Sequence, residues 1–262
     1  MKSYVSNAQH RERARGALKN QWGMMVWLTF LILLLQLLAS EIVGNFFIGN
    51  SGGTGKTFAN FLLENLVLFA IFYGYAYAGL QVLRGNKAKP IMLFSVFQEG
   101  NYVPMLIINF LQYLVSRIVN VIVMLPIFII FGAQIYIDLM FNNVSPKRIQ
   151  GAFEENLPFF FLLLIFVALV FLLAMFISGI FQFAVWLKFD EKSLTVSETL
   201  KGAVNLMKGR FLQYVRLQLS FIGWYIIGTL ALFIGLLWVL PYQNVALASF
   251  YETAREEKET VI

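Results

Sequence analysis

The chain has no cysteine, a single histidine and few charges. Without cysteine there is no disulfide framework, no thiolate ligand and no thiol nucleophile, and the redox compartment is not legible. The one histidine, His10, falls in a basic N-terminal segment, where solvation is its expected state. No H-E-x-x-H pair occurs, and no carboxylates cluster for a metal, so zinc-dependent chemistry lacks its residues. Charged residues make up 13% of the chain, against about 25% in ordinary globular domains. Between Glu155 and Lys188 there is no charge at all. The reading is a non-enzymatic protein with no cofactor.

What fills the space is apolar: 59% of residues are hydrophobic and the mean hydropathy is +0.72. Leu157 to Leu187 would make a helix roughly 46 Å long, more than the ~30 Å hydrocarbon core of a bilayer. No soluble core has a place for so long an uncharged run. The expected fold is therefore all-α: a polytopic integral membrane helical bundle of about six transmembrane helices, with amphipathic interfacial helices. Residues 1–262 read as a single membrane domain.

In chain order, residues 1–22 form a basic segment with an interfacial helix over 3–21, its cations toward anionic headgroups. Trp22 suits an aromatic belt. Helix 1 is expected over Met24–Ile48 and helix 2 over Phe58–Leu83. Between them, Gly49 to Thr57 resembles a phosphate-binding loop, but the frame ending Gly55-Lys56-Thr57 puts Asn50 where glycine is required. It reads as a turn. In helix 2, Gly74 and Ala78 form a small-xxx-small pair that permits close approach. In the 84–103 connector, Ile91–Phe97 is apolar and suits the interface. Helix 3 starts at Pro104 and is expected to stop at Pro126. Ile127–Phe141 is short for a crossing and reads as a continuation or a re-entrant segment. Helix 4 is the uncharged stretch from Leu157, with a kink point at Ser178-Gly179.

Residues 189–210 read as a cytoplasmic amphipathic helix. Thr195 and Glu198 fit a capping box, and Leu200, Val204, Met207 and Phe211 share one face. From Leu217 to Tyr251 no charge appears, and one helix of that length would span roughly 52 Å. Two helices fit, over Phe211–Ala231 and Ile234–Tyr251, with a turn near Leu232–Gly235. Residues 253–262 form a charged, frayed tail.

Fifteen of the twenty Lys and Arg lie in the N-terminus, the 84–103 and 188–210 connectors and the tail. Loops rich in Lys and Arg stay in the cytoplasm, so six crossings put both termini there, in the plasma membrane. The net charge of +6 is this topology signal and does not point to nucleic acid.

The candidate site is in helix 3. Asn109, Gln112, Ser116 and Asn120 recur at helical spacing on one face, with Arg117 at its edge. A charge at bilayer depth costs at least ~2.5 kcal/mol and calls for a partner. Counted from the helix ends, Arg117 and Glu64 of helix 2 lie at similar depth. An Arg117–Glu64 pair lining a polar ligand pocket is the functional expectation; a satisfied packing network is the alternative. Glu41 is a second candidate partner.

Several blocks carry a family resemblance. Asn205 to Gly209, Leu219 to Trp224, Leu237 to Tyr242, Phe250-Tyr251 and the N-terminal Ala17 to Gly23 resemble a family of small integral membrane proteins of Gram-positive bacteria, catalogued as a domain of unknown function. The resemblance covers nearly the whole chain and implies a polytopic plasma-membrane protein without assigned catalytic residues. Three functions stay open: binding or sensing a lipid or an amphipathic, antimicrobial-type peptide; a small transporter or permease subunit; and a scaffold for another membrane protein. Membrane lipids are the expected partners, with a peptide or a membrane protein besides.

Overall fold

The computed structural model describes residues 5–46, 54–98, 100–131 and 157–259. All regular elements among them are helical. In order they are α1 (Asn7–Leu18), α2 (Trp22–Phe46), α3 (Thr54–Leu63), a π turn (Glu64–Leu68), α4 (Phe69–Leu83), a 3₁₀ segment (Pro90–Phe97) and α5 (Tyr102–Phe131). There follow α6 (Leu157–Asp190), α7 (Val196–Met207), α8 (Phe211–Leu219), α9 (Ile222–Leu230) and α10 (Leu236–Glu259). Among the described residues, four stretches are long and apolar enough to cross a membrane: Trp22–Val43, Gly55–Leu83, Tyr102–Val123 and Leu164–Asp190. They correspond to helices 1 to 4 of the sequence reading. Residues divide into a larger unit, Met1–Phe110 with Gly179–Ile262, and a smaller one, Leu111–Ser178.

The larger unit is built on α4 and α10. α1 starts with a capping box: Gln9 N donates to Ser6 Oγ and Ser6 N donates to Gln9 Oε1. It stops where Asn20 takes φ 68°, a left-handed turn that asparagine tolerates better than most residues. His10, Ala14 and Leu18 recur every four residues and are fully buried. They face α10, where the His10 ring lies 5.3 Å from that of Phe250. The helix is therefore held by protein on this face, where headgroups alone had been expected.

The 84–103 connector also folds inward. Its 3₁₀ segment returns along α4 and buries Leu93, Ser95 and Val96. Gly74 makes this possible, because a Cβ there would lie 2.2 Å from the Leu93 carbonyl oxygen. The small-xxx-small pair thus admits a close neighbour, and that neighbour is the chain's own connector. Gly79 plays a similar part against the Asn244 side chain of α10. Asn244 Nδ2 donates to Tyr75 O at 2.8 Å and Trp186 Nε1 donates to Ala76 O at 2.9 Å. These bonds tie α10 and α6 to the backbone of α4. Around them Phe183, Trp186, Tyr214, Phe250 and Tyr251 form a buried aromatic core.

The C-terminal apolar stretch departs from expectation. The helix expected over Phe211–Ala231 is two nine-residue helices, α8 and α9, broken at Ser220-Phe221. Ser220 Oγ donates back to Leu217 O at 2.7 Å, and Phe221 N bonds to Gln218 O in a tighter turn. Phe221 is fully buried against the Tyr242 ring, 5.1 Å between centroids. Local hydroxyl bonding and a side chain packed into the break account for it. The turn before α10 falls at Ala231–Gly235, as expected. Leu232 and Phe233 both take positive φ there, and they are 80% and 66% exposed. Gly or Asn is the usual choice at such φ; here two exposed apolar residues take it. α9 and α10 meet at Gly228 and Gly235, where a Cβ on Gly235 would lie 2.6 Å from Gly228 Cα. The tail expected to fray from residue 253 is instead helical to Glu259, with Thr253 and Ala254 buried.

α7 carries the expected cap: Glu198 N donates to Thr195 Oγ1 and Thr195 N donates to Glu198 Oε2. The Thr195 hydroxyl, which donates to Glu198 Oε2 at 2.7 Å, and then the Thr195 N–H hold the Glu198 carboxyl below its ordinary pKa. Its buried face is Thr199, Ala203, Leu206 and Met207; Val204, on the apolar face read as lying on the membrane, is exposed. Thr195→Ala is expected to cost ~1 kcal/mol and to speed amide exchange in the first turn of α7. Unchanged exchange at Glu198 would contradict the cap.

In the smaller unit, α5 runs through Pro126 to Phe131, so the expected stop at Pro126 is corrected. Residues 132–156 lie outside the described residues, and with them most of the 127–141 segment. α6 is helical through Ser178-Gly179, where Ser178 Oγ donates to Met175 O.

Candidate functional site

The polar face predicted on helix 3 lies on α5. Asn109, in the larger unit, donates to Asn65 Oδ1 at 3.3 Å and to Asn65 O at 3.4 Å. Asn65 belongs to the π turn. Such a turn bonds i to i+5 and leaves a carbonyl short of its usual partner. Tyr102 of α5 answers this, its hydroxyl donating to Leu66 O at 2.7 Å. A break in α-helical bonding at span depth is thus satisfied by two α5 side chains. Glu64 opens the turn and is exposed. Gln112, Ser116, Arg117 and Asn120 lie in the smaller unit, where the Arg117 guanidinium sits 5.1 Å over the Tyr113 ring. Glu64 and Arg117 belong to different units, and their pairing rests on helix depth alone.

A second polar region, missed by the sequence reading, lies at one end of the larger unit. Asp190 closes α6 with its side chain 7% exposed. It accepts Arg84 Nη1 at 2.7 Å and Nη2 at 2.8 Å in a two-bond fork. It also accepts Arg255 Nη1 at 2.6 Å and the Tyr251 hydroxyl at 2.9 Å. Arg84 pairs further with Glu252, and Arg255 with Glu191. These carboxylates, the Asp190 hydrogen bond first, push the Arg84 pKa above its ordinary value. Buried Arg210 adds a pair with Glu257 at 2.7 Å. The ends of α4, α6 and α10 and the α7–α8 corner are therefore bound together by charge. Between α1 and this frame a cavity of about 510 Å³ opens, lined by Arg13, Gly16, Arg84, Ser249, Glu252 and Glu256 among others.

His10 corrects the expectation of a solvated ring. It is fully buried, with Nδ1 3.0 Å from Ser249 Oγ, and Arg13 reaches Thr253 Oγ1 at 3.1 Å. Burial, reinforced by the Arg13 charge, lowers the His10 pKa from 6.5 to about 4. The unfolded segment then binds a proton that the folded one refuses between those values. Docking of α1 should be undiminished above pH ~6.5 and weaken by up to ~3 kcal/mol as pH falls toward 4. Hydrogen exchange across Asn7–Leu18 would show it; an equal loss in His10→Gln would contradict it.

A third polar chain runs through the α8–α9–α10 hairpin. Gln218 Nε2 donates to the Tyr214 hydroxyl, Gln243 Nε2 donates to Gln218 Oε1, and Tyr225 donates to Gln243 Oε1. No sequence pattern marks it, because the glutamines are separated by 25 residues.

Together these features define a helical protein with, among the described residues, four helices of membrane-crossing length, a charged end and internally bonded polar groups. Residues 1–258 match the family described as "Protein of unknown function (DUF975)", and the chain belongs to that family. No curated protein and no solved structure matches it.

Proposed function

We propose that the chain is a non-enzymatic, multi-pass protein of the plasma membrane that binds or senses a lipid or an amphipathic peptide. Both termini are cytoplasmic in this reading. The ion-paired end supports it: the basic connectors after α4 and α6 are joined there by the Arg84–Asp190 fork, as one membrane side requires. The observation that carries the binding role is the returning 3₁₀ segment. Ile91, Phe94 and Phe97 are exposed along it, and Lys87 and Lys89 stand exposed at its entrance. An apolar surface with a cationic rim fits a molecule with an acyl or apolar body and an acidic head.

A photo-crosslinking amino acid at Phe94, in the full chain in native membranes, should capture a lipid or peptide. Capture of nothing beyond the chain itself would sink the binding role. A small transporter is the second reading, favoured by the π turn at Glu64, since such turns recur at functional sites. Counter-flow uptake in liposomes would support it in place of the first.

A further inference from the structure

We infer that the flank of α1 formed by Arg11, Arg15 and Lys19 is a binding site for the phosphate headgroup of an anionic phospholipid. This rests on the reading of the long helices as membrane spans. It goes further by naming the ligand class and the residues that select it.

Arg11 and Arg15 stand at i and i+4, ~6 Å apart along α1, and Lys19, the residue that caps the helix, continues the row past its end. The row borders the buried stripe of His10, Ala14 and Leu18. α10 therefore fixes the rotation of the helix and decides where the row points. Two observations give the direction. On the other flank, Arg13 reaches Thr253, toward the charged end of α10. On this flank, Trp22 follows Lys19 by three residues and its ring lies against that of Tyr242 on α10. Tyr242 lies eleven residues before Thr253, roughly 16 Å back along α10 toward its apolar half. The row thus faces the apolar side and Arg13 faces the charged side.

Tyr242 stands in an aromatic cluster. The Tyr242 ring lies 6.1 Å from Trp22, 5.1 Å from Phe221 and 6.3 Å from Trp224. Trp224 is 48% exposed, and so is Trp27 further along α2. Tryptophan and tyrosine settle at headgroup level, with acyl chains below them. Among the described residues no ion pair engages Arg11, Arg15 or Lys19, whereas Arg84, Arg210 and Arg255 all have carboxylate partners. The one acid of α1, Glu12, is an i,i+3 neighbour of Arg15 on the helix surface, yet no ion pair joins the two. At the end of the row, Gln21 bonds to Asn86 O and Ala88 N, which brings the 86–89 loop and its exposed Lys87 and Lys89 to the same corner. Cations without protein partners near an aromatic cluster match a layer of phosphates, and arginine can grip a phosphate with two bonds.

The test uses the full chain purified in mild detergent and titrated with phosphatidylglycerol or phosphatidylcholine, with bound lipid counted by native mass spectrometry. Wild type should prefer phosphatidylglycerol, and Arg11→Gln/Arg15→Gln/Lys19→Gln should lower its occupancy roughly tenfold while leaving phosphatidylcholine unchanged. The buried face of α1 is untouched by these changes. Lys201→Gln on α7 combined with Lys208→Gln at its C-cap should keep wild-type occupancy, and Arg11→Lys/Arg15→Lys, which keeps the charge but loses the two-bond grip, should fall between wild type and the triple variant. Equal occupancy by the two lipids in wild type, or wild-type phosphatidylglycerol binding in the triple variant, would overturn the site. Release of the protein from membranes by alkaline carbonate would instead overturn the membrane reading beneath it.

Discussion

Asp190→Asn is expected to lower stability by ~3 kcal/mol, the lower range for breaking a buried charge pair. Asp190 is the shared acceptor of Arg84, Arg255 and Tyr251, and its side chain is nearly closed to solvent. Asparagine keeps the shape but removes the charge and one acceptor, since its amide nitrogen only donates. Arg84 and Arg255 retain Glu252 and Glu191, which is why the loss should not reach the top of the range. Thermal unfolding in detergent measures it. In a double-mutant cycle, Asp190→Asn and Arg84→Gln should be coupled by more than ~1 kcal/mol, because one interaction is lost in both. A loss within ~0.5 kcal/mol, typical of an ordinary surface change, would show that the fork does not hold these helix ends.

Gly74→Val should be as damaging for a different reason. The added Cβ would meet the Leu93 carbonyl at 2.2 Å, and its next neighbours are also Leu93 backbone atoms. No side chain can rotate away, so the 3₁₀ segment must move. Overpacking typically costs ~1–3 kcal/mol, and here the buried Leu93 and Val96 would be exposed as well. The expected result is a loss of ~3 kcal/mol with faster amide exchange confined first to residues 90–97. Gly16→Ala is the matched control. Nothing lies within 4 Å of a Cβ at Gly16, and alanine in a helix interior gains up to ~1 kcal/mol over glycine. Gly74→Val behaving like Gly16→Ala would mean that the connector does not lie against α4.

These two sites separate what was legible in the sequence from what was not. The long apolar runs announced α2, α3–α4, the first part of α5, and α6, because length and missing charge are local properties. Thr195 and Glu198 announced the α7 cap, and Gly74 announced a close approach. The identity of Gly74's neighbour was hidden, since an interfacial segment and a returning one share the same apolar composition over Ile91–Phe97. α1 was ambiguous for the same reason. His10, Ala14 and Leu18 make a stripe that suits a membrane surface or a helix, and only α10 decides between them. The π turn at Glu64 leaves no mark in composition. Asn109 reads as a site residue and makes its bond to Asn65, while Gln218 and Gln243, 25 residues apart, share no helical face that would join them in the sequence. Asp190 and Arg84 looked like solvated connector charges; their pairing joins residues 106 positions apart.

The central claim is that the connectors after α4 and α6 share one side of a membrane, gathered by the Arg84–Asp190 fork. The absence of cysteine makes single-cysteine labelling in intact cells a clean test. Asn86→Cys and Lys192→Cys should both resist a membrane-impermeant maleimide until the membrane is opened, while Lys56→Cys, in the first turn of α3 at the opposite end of that span, should label from outside. Labelling of Asn86→Cys and Lys192→Cys from opposite sides would contradict the account.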